Sequence, residues 1–240
     1  MSQVTGAMPV QRGLPADRPG LLPAGLVGGV GGLVFVATVV AQNVVRAKDL
    51  PANDAGAASV AAYYAAHHGT TVLLAALYPV GALGLACFLG AMLSRLSAAG
   101  VRAPALAGAF GATGIIAMFT MTVATDVALA EYVHRGSASA AVVSALWVLH
   151  NAVFGVLLVS IGVALIGFSA AAAADGLVPD AWKGIGLVGG IALAVAGACT
   201  PAIVDGSKVI GVGLVGFVAW GVFVVTCAVA LIRRRVSPGF

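Results

Sequence analysis

Six uninterrupted apolar runs, each long enough to cross a bilayer, dominate this chain. They read Leu21–Val45, Gly69–Leu93, Pro104–Ala130, Val142–Ala172, Gly184–Val204 and Val209–Ile232. A membrane-spanning helix needs ~20 predominantly apolar residues. Only helices and closed barrels satisfy their backbone polar groups in lipid. A barrel would show ~10-residue alternating segments, and these runs do not alternate. The expected fold is therefore an all-α integral membrane protein, a bundle of six transmembrane helices. The fourth run is long for one crossing, so it tilts or begins outside the bilayer.

Composition agrees. The 240 residues are 61% hydrophobic and 8% charged, where a soluble domain carries roughly 25% charged residues. The chain divides into a tail over 1–20 with three prolines and no apolar period, expected to be disordered, a transmembrane domain over 21–232, and a basic tail over 233–240. A cleaved signal peptide is the rival reading of the first run, but that run exceeds the 7–15 residues of an h-region.

The net charge of +4 does not point to nucleic acid, because the basic residues follow the topology. Arg12, Arg18, Arg95, Arg102, Lys183 and the Arg233–Arg235 triplet fall on one side, eight in all, against Arg46, Lys48, Arg135 and Lys208 on the other. The positive-inside rule then puts both termini in the cytoplasm and makes this a multi-pass protein of the cell membrane. The partners expected are membrane lipid and an apolar small molecule. Cys87, Cys199 and Cys227 sit singly in three spans. Without a paired spacing they suggest neither a disulfide framework nor zinc, and they read as small apolar fillers. No cofactor is expected, and no metal: His67, His68 and His134 lack a ligand spacing such as HExxH.

Glycines recur at helical spacing, at Gly25 and Gly29, Gly28 and Gly32, Gly186 and Gly190, and Gly108, Gly111 and Gly114. Small residues three or four apart let helix backbones approach closely in lipid. They predict that the first, third and fifth spans form the tight part of the bundle. The same faces also suit a homodimer. Pro79 and Pro201 predict breaks or kinks in the second and fifth spans. Between the first two spans, Asn53 or Asp54 can cap a short helix over Ala55–His68 that Gly69 ends. It would place Tyr63 over His67 and Tyr64 over His68.

The polar side chains inside the spans gather toward one end. They are Gln42, Asn43, His67, His68, Asp126, Glu131, His150, Asn151 and Asp205. Asp126 and His150 each stand eight residues in from the ends of a helical hairpin, roughly 12 Å at 1.5 Å per residue, so they can meet. A carboxylate at membrane depth costs a few kcal/mol unless paired or protonated, which makes Asp126 a candidate functional residue. Thr122 lies one turn before it. Trp147, His150, Asn151 and Phe154 share one stripe of the fourth span at i, i+3, i+4 and i+7.

Three functions fit this constellation. The first is an intramembrane enzyme on an isoprenoid or lipid-like substrate, by acid-initiated, terpene-cyclase-like chemistry. Asp126 would be the acid, oriented by His150 or Asn151. Trp147, Phe154, Thr122, Tyr63, Tyr64 and His67 would line the substrate pocket, the aromatic faces steadying a cation. The second is a proton-coupled small-solute transporter, since intramembrane Asp and His relay protons. The third is a non-catalytic subunit or a lipid- or small-molecule-binding protein.

Four short motifs carry a resemblance. They are QNVVRA (Gln42–Ala47), AAYYAAHHG (Ala61–Gly69), LWVLHNAVF (Leu146–Phe154) and GLVPDAWKGIGLVG (Gly176–Gly189). The chain resembles the large group of uncharacterised actinobacterial six-helix membrane proteins of the DUF4386 type. That resemblance implies a six-helix membrane topology and no established activity.

Overall fold

The computed structural model describes residues 23–47, 49–136 and 138–236. The tail expected to be disordered over 1–20 and the end of the basic tail lie outside these residues. Eight helices follow in order: α1 (Ala24–Arg46), α2 (Ala57–Ala66), α3 (His68–Ala98), α4 (Arg102–His134), α5 (Ala140–Ala174), α6 (Ala181–Ala198), α7 (Thr200–Val204) and α8 (Ile210–Val236). Six of them, all but α2 and α7, are long and apolar enough to cross a membrane. Each of the six packs on its neighbour in sequence, and α8 returns to α1, closing a ring. Large apolar side chains cover the outside of the ring, Phe110 among them at 77% exposure. That surface is stable against lipid and not against water.

Glycine explains the packing, but not in the way the spacing alone predicts. A Cβ at Gly31 would stand 2.5 Å from the Gly84 carbonyl oxygen, and one at Gly84 would stand 2.6 Å from that of Gly31. The α1 and α3 backbones therefore approach in a way that only glycine permits at both positions. Gly29 faces α8, Gly32 lies between Phe88 of α3 and Ala228 of α8, Gly108 and Gly111 face α5, and Gly186 and Gly190 also face α5. The odd-numbered spans thus use their glycines against even-numbered neighbours and not against one another. Spacing reveals that a face approaches a helix closely but not which helix it meets.

Helix ends follow recognisable chemistry. Gly100 (φ 83°) and Gly176 (φ 67°) stop α4's predecessor α3 and α5 in the left-handed conformation. The amide of Val101 then donates to the Leu96 carbonyl, and that of Leu177 to the Ala172 carbonyl, the bonds that satisfy a helix C-terminus. The fifth span breaks at Cys199 into α6 and the five-residue α7, where Pro201 withholds an amide. Pro79, by contrast, lies inside an α3 that continues through it. The short connecting helix stops at Ala66, before the predicted His68, and Gly69 falls within α3.

The α4–α5 hairpin is built from the two longest helices. At about 1.5 Å per residue, the 23 residues of α1 measure about 35 Å, while the 33 of α4 and 35 of α5 measure about 50 Å. Near the α2 end of the bundle, Leu129, Ala130, Val143 and Trp147 of this hairpin pack against Val60 and Tyr64 of α2 as a second apolar cluster, separate from the main core. Helix α2 therefore lies across the hairpin as a cover. At the opposite end Arg95 of α3 pairs with Asp175 beyond α5 at 2.6 Å, and Arg234 donates to the Gly176 carbonyl.

Candidate functional site

The site forms where α1 stops. Arg46 is the last residue of α1. Its two terminal nitrogens each lie 2.8 Å from one carboxylate oxygen of Asp126 on α4, a bidentate ion pair. The fork of a guanidinium matches a carboxylate in this way, giving the pair direction as well as charge. Tyr64 of α2 donates its phenol to Asp126 Oδ1 at 2.6 Å. From α5, His150 Nδ1 approaches the same oxygen at 3.4 Å. One carboxylate thus joins four helices. It is nearly enclosed, with 7% of its side chain exposed against 24% for Arg46. An arginine's reach from the end of α1 sets the height of Asp126. The last two turns of α4 stand beyond it, so the carboxylate lies under α2 near the bilayer boundary.

His150 is held on three sides. Its ring stacks on Trp147, one turn earlier on α5, at 5.2 Å and 3°. Its Nδ1 lies 3.2 Å from the Thr125 hydroxyl, which itself donates to the Thr122 carbonyl at 2.8 Å. The α1–α2 connection is pinned above it: Trp147 donates its indole N–H to the Ala52 carbonyl at 3.3 Å, and Asn151 its amide to the Asn53 carbonyl at 3.2 Å. Asn53 in turn donates to the Ile203 carbonyl of α7. Asn151 therefore positions the connecting strap and does not contact Asp126.

Arg46 borders two spaces, and Asp126 the first of them. On the α2–α3 side is a crevice of about 30 Å³, where Tyr63, Tyr64 and His67 line the wall. There Tyr63 stacks on His67 at 4.5 Å, as the spacing predicted. Tyr64 turns instead to Asp126, while His68 meets Glu131 at 3.0 Å and stacks on His134 at 4.2 Å. On the α5–α8 side is a chamber of about 220 Å³ bordered by Asn43, Arg46, Thr122, His150, Asn151 and Phe154. The Thr122 hydroxyl donates its proton to the Met118 carbonyl and has none left for a group in the chamber.

The chamber does not stand alone. Asn43, Phe154 and Ile210 also border an adjoining space of about 120 Å³. Phe217 is a wall shared by that space and an apolar cleft of about 360 Å³ between α1 and α8, bordered by Val36, Val39, Phe119 and Trp220. The Trp220 indole N–H is buried with no hydrogen-bond partner among the described residues. Beyond Phe35 and Thr226 the passage closes, because Gly29 and Gly32 of α1 bring its backbone against Ala228 and Phe88.

No family model, curated protein or solved structure matches this chain. Its site is therefore read from geometry alone. Among the described residues no three His, Cys, Asp or Glu side chains converge as metal ligands.

Sequence reasoning brought Asp126, His150, Trp147 and Phe154 to one place and missed Arg46, Thr125 and Asn53. The signal for Arg46 was present. Gln42 and Arg46 share a helix face one turn apart, and Gln42 is buried and donates to the Leu74 carbonyl of α3. A buried carboxylate also demands a counter-charge.

Tyr64, outside the spanning helices, carries a consequence for pH. Burial, then the charge of Asp126, pushes its phenol well above the ordinary value of 10.0. The folded state thus favours the protonated phenol. That contribution is fully present below the unfolded value and is lost as pH rises above it toward the folded value. Alkaline titration by ultraviolet absorbance is expected to show one tyrosine that stays un-ionised until the protein unfolds, and the Tyr64→Phe variant to lack it. A full set of tyrosines titrating near pH ~10 in folded protein would contradict this.

Proposed function

We propose that this protein binds an amphipathic, isoprenoid- or lipid-like molecule, with its polar head in the chamber beside Arg46 and its tail in the cleft between α1 and α8. One observation supports the reading: a polar chamber, an adjoining space and an apolar cleft at the lipid-facing seam of the bundle follow one another, each sharing wall residues with the next. A tail lying there gains about 0.8 kcal/mol per buried methylene relative to water, and the seam admits it sideways from the bilayer. The charge asymmetry of the loops orients the chamber to the outer face of the cell membrane.

Acid-initiated cyclisation finds less support. It needs a neutral carboxylic acid in an apolar site. Here Asp126 has a guanidinium on both oxygens and a phenol on one, an arrangement suited to a carboxylate. Transport finds less as well, because a route to the far end would pass the glycine contacts that close α1 on α3 and α8.

The test is the lipid that accompanies the purified protein. Val39 borders the cleft, and Val39→Trp fills it. Mass spectrometry of solvent extracts is expected to find an amphiphile retained by the wild-type protein and depleted several-fold from the variant. Identical lipid complements from the two folded proteins would overturn the reading.

A further inference from the structure

The head chamber contains a ring nitrogen whose hydrogen-bonding sense follows from its neighbours. The Thr125 hydroxyl has a single proton, and it lies 2.8 Å from the Thr122 carbonyl, which can only accept. Toward His150 Nδ1, 3.2 Å away, the same hydroxyl can then offer only a lone pair. Asp126 Oδ1, 3.4 Å from that nitrogen, is also an acceptor. Both neighbours ask Nδ1 to carry the proton. Arg46 already meets the charge of Asp126 at 2.8 Å, so an imidazolium would be a second buried cation with no counter-charge, an unfavourable state in a poorly solvated site. The contacts that Thr125 and Asp126 make with the ring both fall on Nδ1. The lone pair is then left on Nε2 of a ring that borders the chamber.

We propose that the chamber selects a hydroxyl-bearing amphiphile, a long-chain or isoprenoid alcohol, whose hydroxyl donates to His150 Nε2 while its tail follows the cleft past Phe154 and Phe217. This rests on the amphiphile reading above and specifies its head group. A carboxylate head has no proton to donate and would set its charge against the Nε2 lone pair, while the Arg46 guanidinium on the chamber wall is already engaged by both oxygens of Asp126. An ammonium head can donate, but it would sit beside Arg46, a fixed positive charge on the same chamber wall. A neutral hydroxyl meets neither objection. It also makes good an acceptor that is otherwise poorly hydrated.

The experiment compares two ligands that share a tail. Tritiated hexadecanol is bound to the wild-type protein in nanodiscs and competed with unlabelled hexadecanol or hexadecyl methyl ether. The ether keeps the oxygen and the chain and loses only the donated proton. Hexadecanol is expected to compete about tenfold better, the scale of one net hydrogen bond to a buried acceptor. In folded His150→Phe the two are expected to compete equally. Equal competition in the wild type overturns the head-group assignment while leaving the amphiphile reading intact. Failure of hexadecanol to bind, with a different amphiphile still depleted from Val39→Trp, does the same. Absence of both hexadecanol binding and any Val39-dependent lipid removes the two readings together. Nitrogen NMR of isotope-labelled histidine supplies a check without any ligand: His150 is expected to appear as the Nδ1–H tautomer, and a proton on Nε2 would overturn the assignment.

Discussion

Replacing Arg46 with alanine is expected to destabilise the protein by about 3–5 kcal/mol, the cost of leaving one member of a buried ion pair without its partner. The asymmetry of the site makes the direction of the cut matter. Without Arg46, the Asp126 carboxylate, 7% exposed, keeps only the Tyr64 phenol and the edge of His150. Asp126→Asn is milder, about 1–3 kcal/mol. It still offers an oxygen to Tyr64, and Arg46, 24% exposed, can lift its head toward water while its stem stays packed. Replacing both with leucine is expected to recover much of the loss, because a well-packed apolar pair often equals a buried ionic one. Equilibrium unfolding of the four proteins in one detergent measures the order. Arg46→Ala within 1 kcal/mol of wild type would mean that the pair behaves as an exposed one, with a worth of roughly 0–1 kcal/mol.

The second large effect is steric. Gly84→Val is expected to separate α1 from α3, since its Cβ alone would stand 2.6 Å from the Gly31 carbonyl oxygen and the helices have no side chain there to move aside. Overpacking of this kind costs about 1–3 kcal/mol and sometimes more. A membrane interface built on backbone contact has little other attraction to fall back on. Gly90 provides the control on the same helix. A Cβ there meets nothing within 4 Å, so Gly90→Val is expected to change stability by no more than about 0.5 kcal/mol. Thermal unfolding in detergent compares them. Equal losses would show that the close approach does not explain the effect, since valine has the better helix propensity at both positions.

The six spans were legible because length and apolarity suffice to define a membrane helix, and the observed ends fall within a few residues of those expected. The meeting of Asp126 with His150 was legible because a tight hairpin sets two helices in register. Three things were not. Depth was reckoned from the end of α4, whose last turns stand beyond the height of α1's end, so Arg46 was taken for a flanking charge. The strap over the site is held by the carbonyls of Ala52 and Asn53, and backbone acceptors leave no trace in residue identity. The partners of the glycine faces depend on ring closure, which no local pattern encodes.

Arg46 precedes Asp126 by 80 positions, which sets the order in which the two are made. Arg46 is synthesised first and closes a helix at the bilayer boundary, where a long basic side chain can wait in water at little cost. Asp126 arrives inside a later helix, two turns from its end, where waiting is expensive. The chain therefore makes the partner that tolerates solitude before the one that does not. The carboxylate is made only after its counter-charge. Membrane insertion of the third span is then assisted by the first, and the ion pair acts on biogenesis before it acts on the finished fold.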